Sequence, residues 1–379
     1  MFLADTAAGP VETPALVYLF HALKVVAAFG VIMTVIPFLI WLERKMAAWI
    51  QLRDGPTKVG LPNWGILGPL KGWGAFGLLQ PLADMIKLVL KEDFVPRRVS
   101  RVLFFIAPAL MFVPIAFALA VIPFGWGFTW FDDLGNAFAI RYQIADFGVG
   151  ILFALASLSV AVHGLSLGGW ASNNKWATFG AVRAGAQLIS YEAAMFMAVL
   201  AMVMAYGTLD MQDMVVDQAT AFEGGWSIFG WGAFRQPLAF IIMLVCMFAE
   251  SNRLPFDFPE AEAELVAGYH TEYGSMKFAM FFLGEYYGMC IQSALVVTLF
   301  LGGWSLPGID PTPTEFLPSL AGPLIFCAKC AVFLWLYIQV RWTLPRFRFD
   351  QLMSLGWKKL IPLALANVVI TALYLNLSS

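Results

Sequence analysis

Charged residues are scarce in this chain: Asp, Glu, Lys and Arg make up 13% of its 379 residues, whereas hydrophobic residues make up 60%. The mean hydropathy is +0.76. Soluble globular domains carry about 25% charged residues, so this chain is far more apolar than a soluble protein of its length. The composition excludes an ordinary soluble protein and places the chain in a lipid bilayer.

Cysteine is also rare, and its arrangement argues against a metal or cluster site. The four cysteines lie in apolar stretches, and Cys327 and Cys330 form a CxxC motif without a second such pair. We therefore interpret the cysteines as packing residues and predict no metal site.

Three further features are missing from the sequence. The chain has no glycine-rich dinucleotide loop, which argues against a nucleotide site of its own. It has no internal repeat of the transporter type, which weakens an interpretation as a secondary carrier. Its N-terminus lacks a basic region before a short apolar core, so we expect no removable signal peptide.

Eight apolar stretches are long enough, or nearly so, to cross the bilayer as helices of about 20 residues. They cover residues 15–42, 102–122, 147–167, 184–206, 231–249, 278–300, 322–340 and 360–377. The fifth is the least secure, because Arg235 and Pro237 interrupt its beginning. The pattern predicts an all-α polytopic membrane protein, one membrane domain over residues 1–379, with about eight transmembrane helices and amphipathic helices in its cytoplasmic loops.

The basic residues predict the orientation of the spans. Most of the 23 Lys and Arg residues lie in the loops after the first, third, fifth and seventh spans, whereas the alternate loops hold only Arg141 and Arg235. The positive-inside rule then puts both termini outside. The loops rich in motifs therefore face the cytoplasm or its mitochondrial equivalent.

The segment 250–277 and the span that follows it are unusually acidic. Seven carboxylates lie between two apolar regions: Glu250, Asp257, Glu260, Glu262, Glu264, Glu272 and Glu285. Since removal from water disfavours an ionised carboxylate, several of these groups must be protonated or paired. This pattern indicates proton handling, although a solvated acidic loop between helices is an alternative interpretation.

The first cytoplasmic loop, residues 43–101, is too long to be a simple connector. Asp84, Lys87 and Lys91 recur at helical spacing with apolar residues around the rest of the helix. This spacing predicts a helix at the membrane surface, with its polar stripe toward a partner and its apolar face toward lipid. A plain surface anchor explains the periodicity equally well.

Three ionisable residues lie within the predicted spans: Glu192, Glu285 and Lys329. Counted from the predicted cytoplasmic ends, they lie at depths of about 12, 10 and 16 Å. Two acids and a base at similar depth favour a buried polar path, whereas a single charge could be a structural contact.

Longer motifs carry a more specific signal. They are ERKMAAWIQLRDGP (43–56), QPLADMIKLVLKED (80–93), GWASNNKW (169–176), RAGAQLISYE (183–192), AESNRLPFDFPEAEAELVAGYHTEYGSMKFA (249–279), GEYYGM (284–289) and PRFRFDQLM (345–353). In this order they resemble, over nearly the whole chain, the quinone-site membrane subunit of respiratory complex I. That protein is known as the H subunit in bacteria and as subunit 1 in mitochondria.

The resemblance implies a tunnel for ubiquinone or menaquinone and a link between quinone reduction and proton translocation. The iron–sulfur clusters, FMN and the NADH site would belong to partner subunits, so this chain alone is expected to have no redox activity. Expected partners are the cytoplasmic quinone-site and terminal iron–sulfur cluster subunits and small membrane subunits. The expected location is the bacterial inner membrane, with the mitochondrial inner membrane as the alternative.

The resemblance also implies roles for individual residues. Residues expected in the quinone cavity and at subunit junctions are Gln51, Arg53, Asp84, Lys87, Arg253, Phe256 and Asp257. Residues expected on the proton path are Glu192, Glu250, Glu260, Glu262, Glu264, Glu272 and Glu285, with Lys329 as the base in a span.

The sequence departs from the family pattern at two places. Residues 61–74 form an extra stretch containing Gly, Pro and Trp, and residues 158–162 of the third span lack a carboxylate that some members carry. Other functions also remain open: the equivalent subunit of a membrane-bound hydrogenase, an autonomous ion carrier, or a structural anchor.

Overall fold

The fold is almost entirely helical, as a computed structural model of residues 15–57, 59, 75–131, 137–220 and 227–378 shows. The helices are α1 (Ala15–Ile50), α2 (Gln80–Leu90), α3 (Arg101–Ala118), α4 (Gly150–Ala171), α5 (Lys175–Tyr206), α6 (Met211–Thr220), α7 (Gly232–Arg235), α8 (Pro237–Glu250), α9 (Glu262–Leu265), α10 (Ser275–Phe300), α11 (Phe316–Ser319), α12 (Ala321–Thr343), α13 (Phe349–Leu355) and α14 (Ile361–Ser378). The predicted all-α class is confirmed.

Seven helical segments in the described part of the chain are long and apolar enough to cross a membrane. They are Tyr18–Ile50, Arg101–Val121, Gly150–Ala171, Lys175–Tyr206, Ser275–Phe300, Phe316–Thr343 and Phe349–Leu377. The fifth predicted span is shorter than expected, because α7 ends at Arg235 and the apolar helix Pro237–Glu250 has only 14 residues. Proline begins that helix because the first helical position needs no N–H donor.

Local sequence explains where α5 begins and ends. Asn174 precedes it, and the Asn174 side chain accepts a hydrogen bond from the backbone N–H of Trp176. The helix ends at Gly207, whose φ of 70° suits glycine. These two signals allow α5 to run for 32 residues and to begin well before the predicted residue 184.

The helix α10 lies at the centre of the bundle. Of its most apolar stretch, 78% is buried inside the protein, compared with 17% for α1 and 22% for the last span. Helices α3 and α4 pack closely beside it, and a Cβ on Gly164 of α4 would lie 2.5 Å from the backbone nitrogen of Met111. Small residues at such crossings bring helix backbones together in membranes.

Two smaller elements lie outside the bundle. Strands β1 (Phe128–Phe131) and β2 (Ala137–Ile140) form an antiparallel pair, with Phe128 opposite Ile140. The predicted amphipathic helix in the first long loop is confirmed as α2, although Lys91 follows its last residue. The extra stretch 61–74 lies outside the described residues.

Candidate functional site

The segment between α8 and α10 folds against α5 in a conformation that requires glycine. Gly268 has φ +58°, and a Cβ there would lie 1.7 Å from the carbonyl oxygen of Pro259. Gly180 of α5 approaches the same segment, since its Cβ would meet the backbone nitrogen of Tyr269 at 2.7 Å. Two glycines thus allow residues 251–274, which we call the acidic loop, to pack tightly on the helix.

Arg253 of the acidic loop is buried between two carboxylates. Its side chain is 5% exposed, its Nε lies 3.0 Å from Glu285 Oε1, and its Nη1 lies 3.5 Å from Glu43 Oε1. The guanidinium also lies over the Tyr286 ring at 4.3 Å. Burial favours the neutral form, but Glu285, Tyr286 and Glu43 together raise the pKa of Arg253 well above its usual value. Arg253 is therefore a permanent cation in this site.

Glu43, near the end of α1, completes this cluster. It accepts a 2.6 Å hydrogen bond from the Tyr286 hydroxyl and forms an ion pair with Arg341 of α12. Glu43, Arg341 and Tyr286 are not among the site residues predicted from the sequence. Glu43 opens the first complex I motif, and Arg341 lies at the end of a span, so both had a local signal, but their contact with the Arg253 cluster depends on the tertiary fold.

The next turn of the acidic loop brings together Phe256 and Asp257 with the segment after α12. Asp257 accepts a 2.8 Å hydrogen bond from Arg346. Phe256 packs between the rings of Tyr191 and Phe347, with centroids 5.5 and 5.6 Å away. Burial raises the pKa of Asp257, although Arg346 opposes the shift. Burial and the contact with Arg346 therefore act in opposite directions on the proton affinity of this carboxyl group.

Glu260 lies beside His270, but their contact is not a charged ion pair. His270 Nε2 lies 3.2 Å from Glu260 Oε1. Burial lowers the pKa of His270 to about 4, so the imidazole is neutral near pH 7. Burial, followed by the charges of Glu285 and Asp257, raises the pKa of Glu260 well above its usual value. Burial therefore disfavours the charged form of both members of this pair.

Other predicted acids have partners on α5 or before it. Glu264 accepts a 2.6 Å hydrogen bond from Arg183, and Glu272 accepts one of 2.7 Å from Asn174. The side chain of Glu262 lies outside the described residues. Arg183 of α5 and Asn174, which directly precedes α5, thus anchor the acidic loop through two of its carboxylates.

A cavity of about 40 Å³ lies beneath the acidic loop, among α3, α4, α5 and α10. Glu250 and Glu285 both line it. The Oε2 atom of Glu250 is buried and has no hydrogen-bond partner within the described chain. The cavity therefore brings together two of the predicted acids across a largely apolar interior.

Glu192 of α5 contacts the third predicted span within the stretch 158–162. The Ser159 hydroxyl of α4 donates a hydrogen bond to Glu192 Oε1. Leu158, Ala161 and Val162 of the same stretch line the cavity. A serine hydroxyl thus contacts Glu192 from a stretch that carries no carboxylate.

Lys329, the predicted base within a span, contacts backbone carbonyls in the described structure. Its ammonium group donates to the carbonyls of Leu301, Gly303 and Ser305 at 2.7, 2.9 and 2.7 Å. Along α10 and its terminus, Leu301 lies about 24 Å beyond Glu285 at 1.5 Å per residue. The sequence left the partner of Lys329 open, because depth in a span does not specify the direction in which the long side chain extends. All three N–H donors fix the end of α10 instead.

The remaining predicted quinone residues lie on α1 and α2. Gln51 and Arg53 are exposed at the end of α1. Asp84 pairs at 2.6 Å with Arg44 of α1, so at least part of the polar stripe of α2 faces its own chain. Lys87 lines an open, mostly apolar groove along α2, together with Ala83, Ile86, Leu90 and Lys91. No contact joins these residues to Arg253 in the described structure.

The described residues contain no group of three or more His, Cys, Asp or Glu side chains that could hold a metal ion. The carboxylates of the acidic loop instead accept hydrogen bonds from arginine and asparagine side chains.

Comparison with known proteins shows a consistent relationship. A family model described as NADH dehydrogenase matches residues 23–372. One NADH-quinone oxidoreductase H subunit of Geobacter metallireducens is 45% identical over 357 residues, which cover 94% of this chain and 97% of that relative. An H subunit of the same enzyme from Geobacter sulfurreducens is 46% identical over 351 residues, covering 93% and 95%. NADH-quinone oxidoreductase subunit 8 of Rhodothermus marinus is 43% identical over 350 residues, covering 90% and 93%.

Proposed function

Because this chain belongs to the NADH dehydrogenase family and is a membrane subunit of an NADH-quinone oxidoreductase, we propose that it forms part of the quinone cavity and the first part of a proton path into the membrane. Quinone reduction in the cavity would change the charge beside the acidic loop. The loop would pass that change to carboxylates inside the bundle.

The position of Arg253 carries this proposal. The residue lies in the acidic loop, yet its guanidinium contacts Glu285 within α10 and Glu43 at the end of α1. A buried cation shared by two carboxylates ties their proton affinities together, because protonation of one acid releases the arginine toward the other. Arg253 thus connects the loop electrostatically to the membrane interior.

The surroundings of α2 support a quinone site. A quinone needs an apolar corridor for its isoprenoid tail and a few polar groups near its headgroup. The groove along α2 supplies apolar side chains beside Lys87, and the acidic loop supplies Asp257 with Arg346. Ubiquinone and menaquinone both fit this chemistry as substrate.

Partner subunits complete the reaction. Quinone reduction needs electrons, which would come from NADH through FMN and iron–sulfur clusters held by other subunits. The proposed neighbours are the subunits carrying the cytoplasmic quinone site and the terminal cluster, together with small membrane subunits. The proposed location is the bacterial inner membrane, with the mitochondrial inner membrane as the alternative.

The test separates quinone chemistry from electron input. In the purified complex, Arg253→Gln is compared with Arg348→Gln, since the Arg348 side chain is 78% exposed and pairs with Asp350. We expect Arg253→Gln to lower quinone-dependent NADH oxidation at least about tenfold, because it leaves the buried carboxylate of Glu285 without its cation. Electron transfer from NADH to a soluble artificial acceptor should stay at the wild-type rate in both variants. If the assembled Arg253→Gln complex kept the same fraction of the wild-type rate with quinone as with the artificial acceptor, the proposal would be contradicted.

A further inference from the structure

We propose that Gln292 is a positioning residue that holds water in the cavity between Glu250 and Glu285. The inference rests on the proposed proton path and extends it beyond Glu285. Gln292 is neutral and is not among the predicted site residues. Its proposed role is to order the water through which protons move.

The face of α10 that borders the cavity explains why space exists there. Gly284, Gly288 and Gln292 follow one another at intervals of four residues, so they share a face of the helix, and all three line the cavity. The two glycines leave room that larger side chains would fill. Gln292 lies seven residues after Glu285, about 10 Å farther along the helix.

The polar atoms in this region lack protein partners. Gln292 is 1% exposed, and neither its Nε2 nor its Oε1 has a hydrogen-bond partner within the described chain. The Oε2 atom of Glu250, which lines the same cavity, is likewise unpartnered among the described residues. A buried amide that lacks both its donor and acceptor bonds is unfavourable, so each such group in a native protein requires an explanation.

Water supplies that explanation because the cavity has both the volume and the polar groups. A cavity needs about 10–15 Å³ to hold one buried water, so a volume of about 40 Å³ can hold two to four. A buried water needs two to four polar partners, and Glu250, Glu285, Asn252 and Gln292 line the space. The apolar remainder of the lining confines these waters to the polar side.

An amide is suited to this task for a chemical reason. Gln292 offers one donor group and one acceptor, so it can bind waters of either orientation without itself gaining or losing a proton. A chain of waters must reorient after each proton passes, and a neutral side chain permits this without trapping the charge. Gln292 is therefore a positioning residue, whereas Glu250 and Glu285 are the groups that exchange protons.

The experiment uses the complete complex reconstituted in vesicles. Gln292→Leu keeps the approximate volume but removes both polar atoms, and Gln292→Asn restores a shorter amide. The matched control is Ser293→Ala, because Ser293 is also buried in α10 but donates to the Met289 carbonyl of its own helix. The measurements are quinone-dependent NADH oxidation, protons moved per NADH, and water density in a cryo-electron microscopy map that resolves ordered water elsewhere.

We expect Gln292→Leu to lower the quinone-dependent rate about fivefold to tenfold, because it removes hydrogen bonds to the water chain. Gln292→Asn should recover part of the loss, and Ser293→Ala should match the wild type. Wild-type activity and proton yield in assembled Gln292→Leu would overturn the proposal. Absence of water density from the wild-type cavity would also overturn it, even if the leucine variant failed to assemble.

A companion variant separates this proposal from the proposed function. If Glu285→Gln loses proton movement while Gln292→Leu retains it, the role of Gln292 is wrong and the proton path stands. If both variants move protons as the wild type does, both proposals fail.

Discussion

Arg253 Nε lies 3.0 Å from Glu285 Oε1, across the boundary between the acidic loop and the central helix α10. Both side chains are almost fully buried, at 5% and 7% exposed. A buried charge without its partner is strongly destabilising, so a proton arriving at Glu285 must be compensated by movement of Arg253 or of its second partner, Glu43. This relationship makes the acidic loop sensitive to the protonation of a residue inside the bundle.

Asp257→Asn should impair quinone reduction more than electron input. The change removes the carboxylate that Arg346 contacts at 2.8 Å, and a hydrogen bond to a charged group contributes about 1.5–3 kcal/mol. We expect quinone-dependent NADH oxidation to fall about tenfold, with the artificial-acceptor rate unchanged. Asp310→Asn is the matched control, since Asp310 lies in a separate exposed turn where it accepts from Thr312. An equal loss of both activities in the assembled complex would argue against a role in the quinone site.

Replacing Asp84 and replacing Lys87 should affect assembly and quinone binding to different extents. Asp84 joins α2 to α1 through Arg44, whereas Lys87 lines the exposed groove. We therefore expect Asp84→Asn to reduce the amount of assembled complex, and Lys87→Gln to raise the KM for quinone without that loss. Native gels followed by quinone titration distinguish the two effects. If both variants lost assembly alone, the groove would have no part in binding quinone.

Glu192→Gln should preserve the packing of α4 against α5 while removing a titratable group. Glutamine retains the length of the side chain and its ability to accept from Ser159. We expect assembly near the wild-type level, with proton uptake and quinone-dependent NADH oxidation lowered about tenfold or more, as is typical when a proton-transfer group is lost. Ser159→Ala should give a smaller loss, because the carboxyl group remains. Wild-type rates and coupling in the glutamine variant would identify Glu192 as a structural acid.

The acidic loop should open as the pH falls, because His270 cannot be protonated without cost. Its pKa is lowered by burial to about 4, whereas the usual value is 6.5. Protons therefore favour the open loop below pH 6.5, by about 2 kcal/mol at pH 5. His270→Asn should remove this dependence.

Hydrogen exchange in peptides covering residues 262–274 measures the opening of the loop. Exchange in the wild type should accelerate relative to the variant between pH 7 and pH 5. An identical pH response in both proteins would show that His270 does not control the loop.

Local patterns in the sequence predict the helices better than their contacts. The spacing of Asp84 and Lys87 predicts α2, because helical periodicity is visible within a dozen residues. The charges from Glu43 onward indicate that α1 ends near residue 42, yet the helix continues to Ile50. Within this extension Glu43 is paired with Arg253 and Arg341, which lie more than 200 residues away in the chain. No local pattern contains that information.

In the candidate site, too, the sequence indicates which residues take part but not which residues they contact. The acids of the segment 250–277 are recognisable from composition, whereas the pairing of Asp257 with Arg346 and the unpartnered amide of Gln292 in the described chain depend on the tertiary fold. Depth alone indicates that Lys329 lies within a span, but it does not identify the partners of the side chain. Its three backbone carbonyl partners lie in a turn that sequence periodicity does not describe.

The most direct test of the proposed coupling is the number of protons moved per NADH oxidised by the Glu285→Gln complex in sealed vesicles. The substitution keeps the shape of the side chain beside Arg253 but removes its negative charge and its ability to bind and release a proton. We expect the complex to assemble, to reduce the artificial acceptor at the wild-type rate, and to move fewer protons per NADH than the wild type. The wild-type ratio of protons to NADH in this variant would contradict a proton path through Glu285.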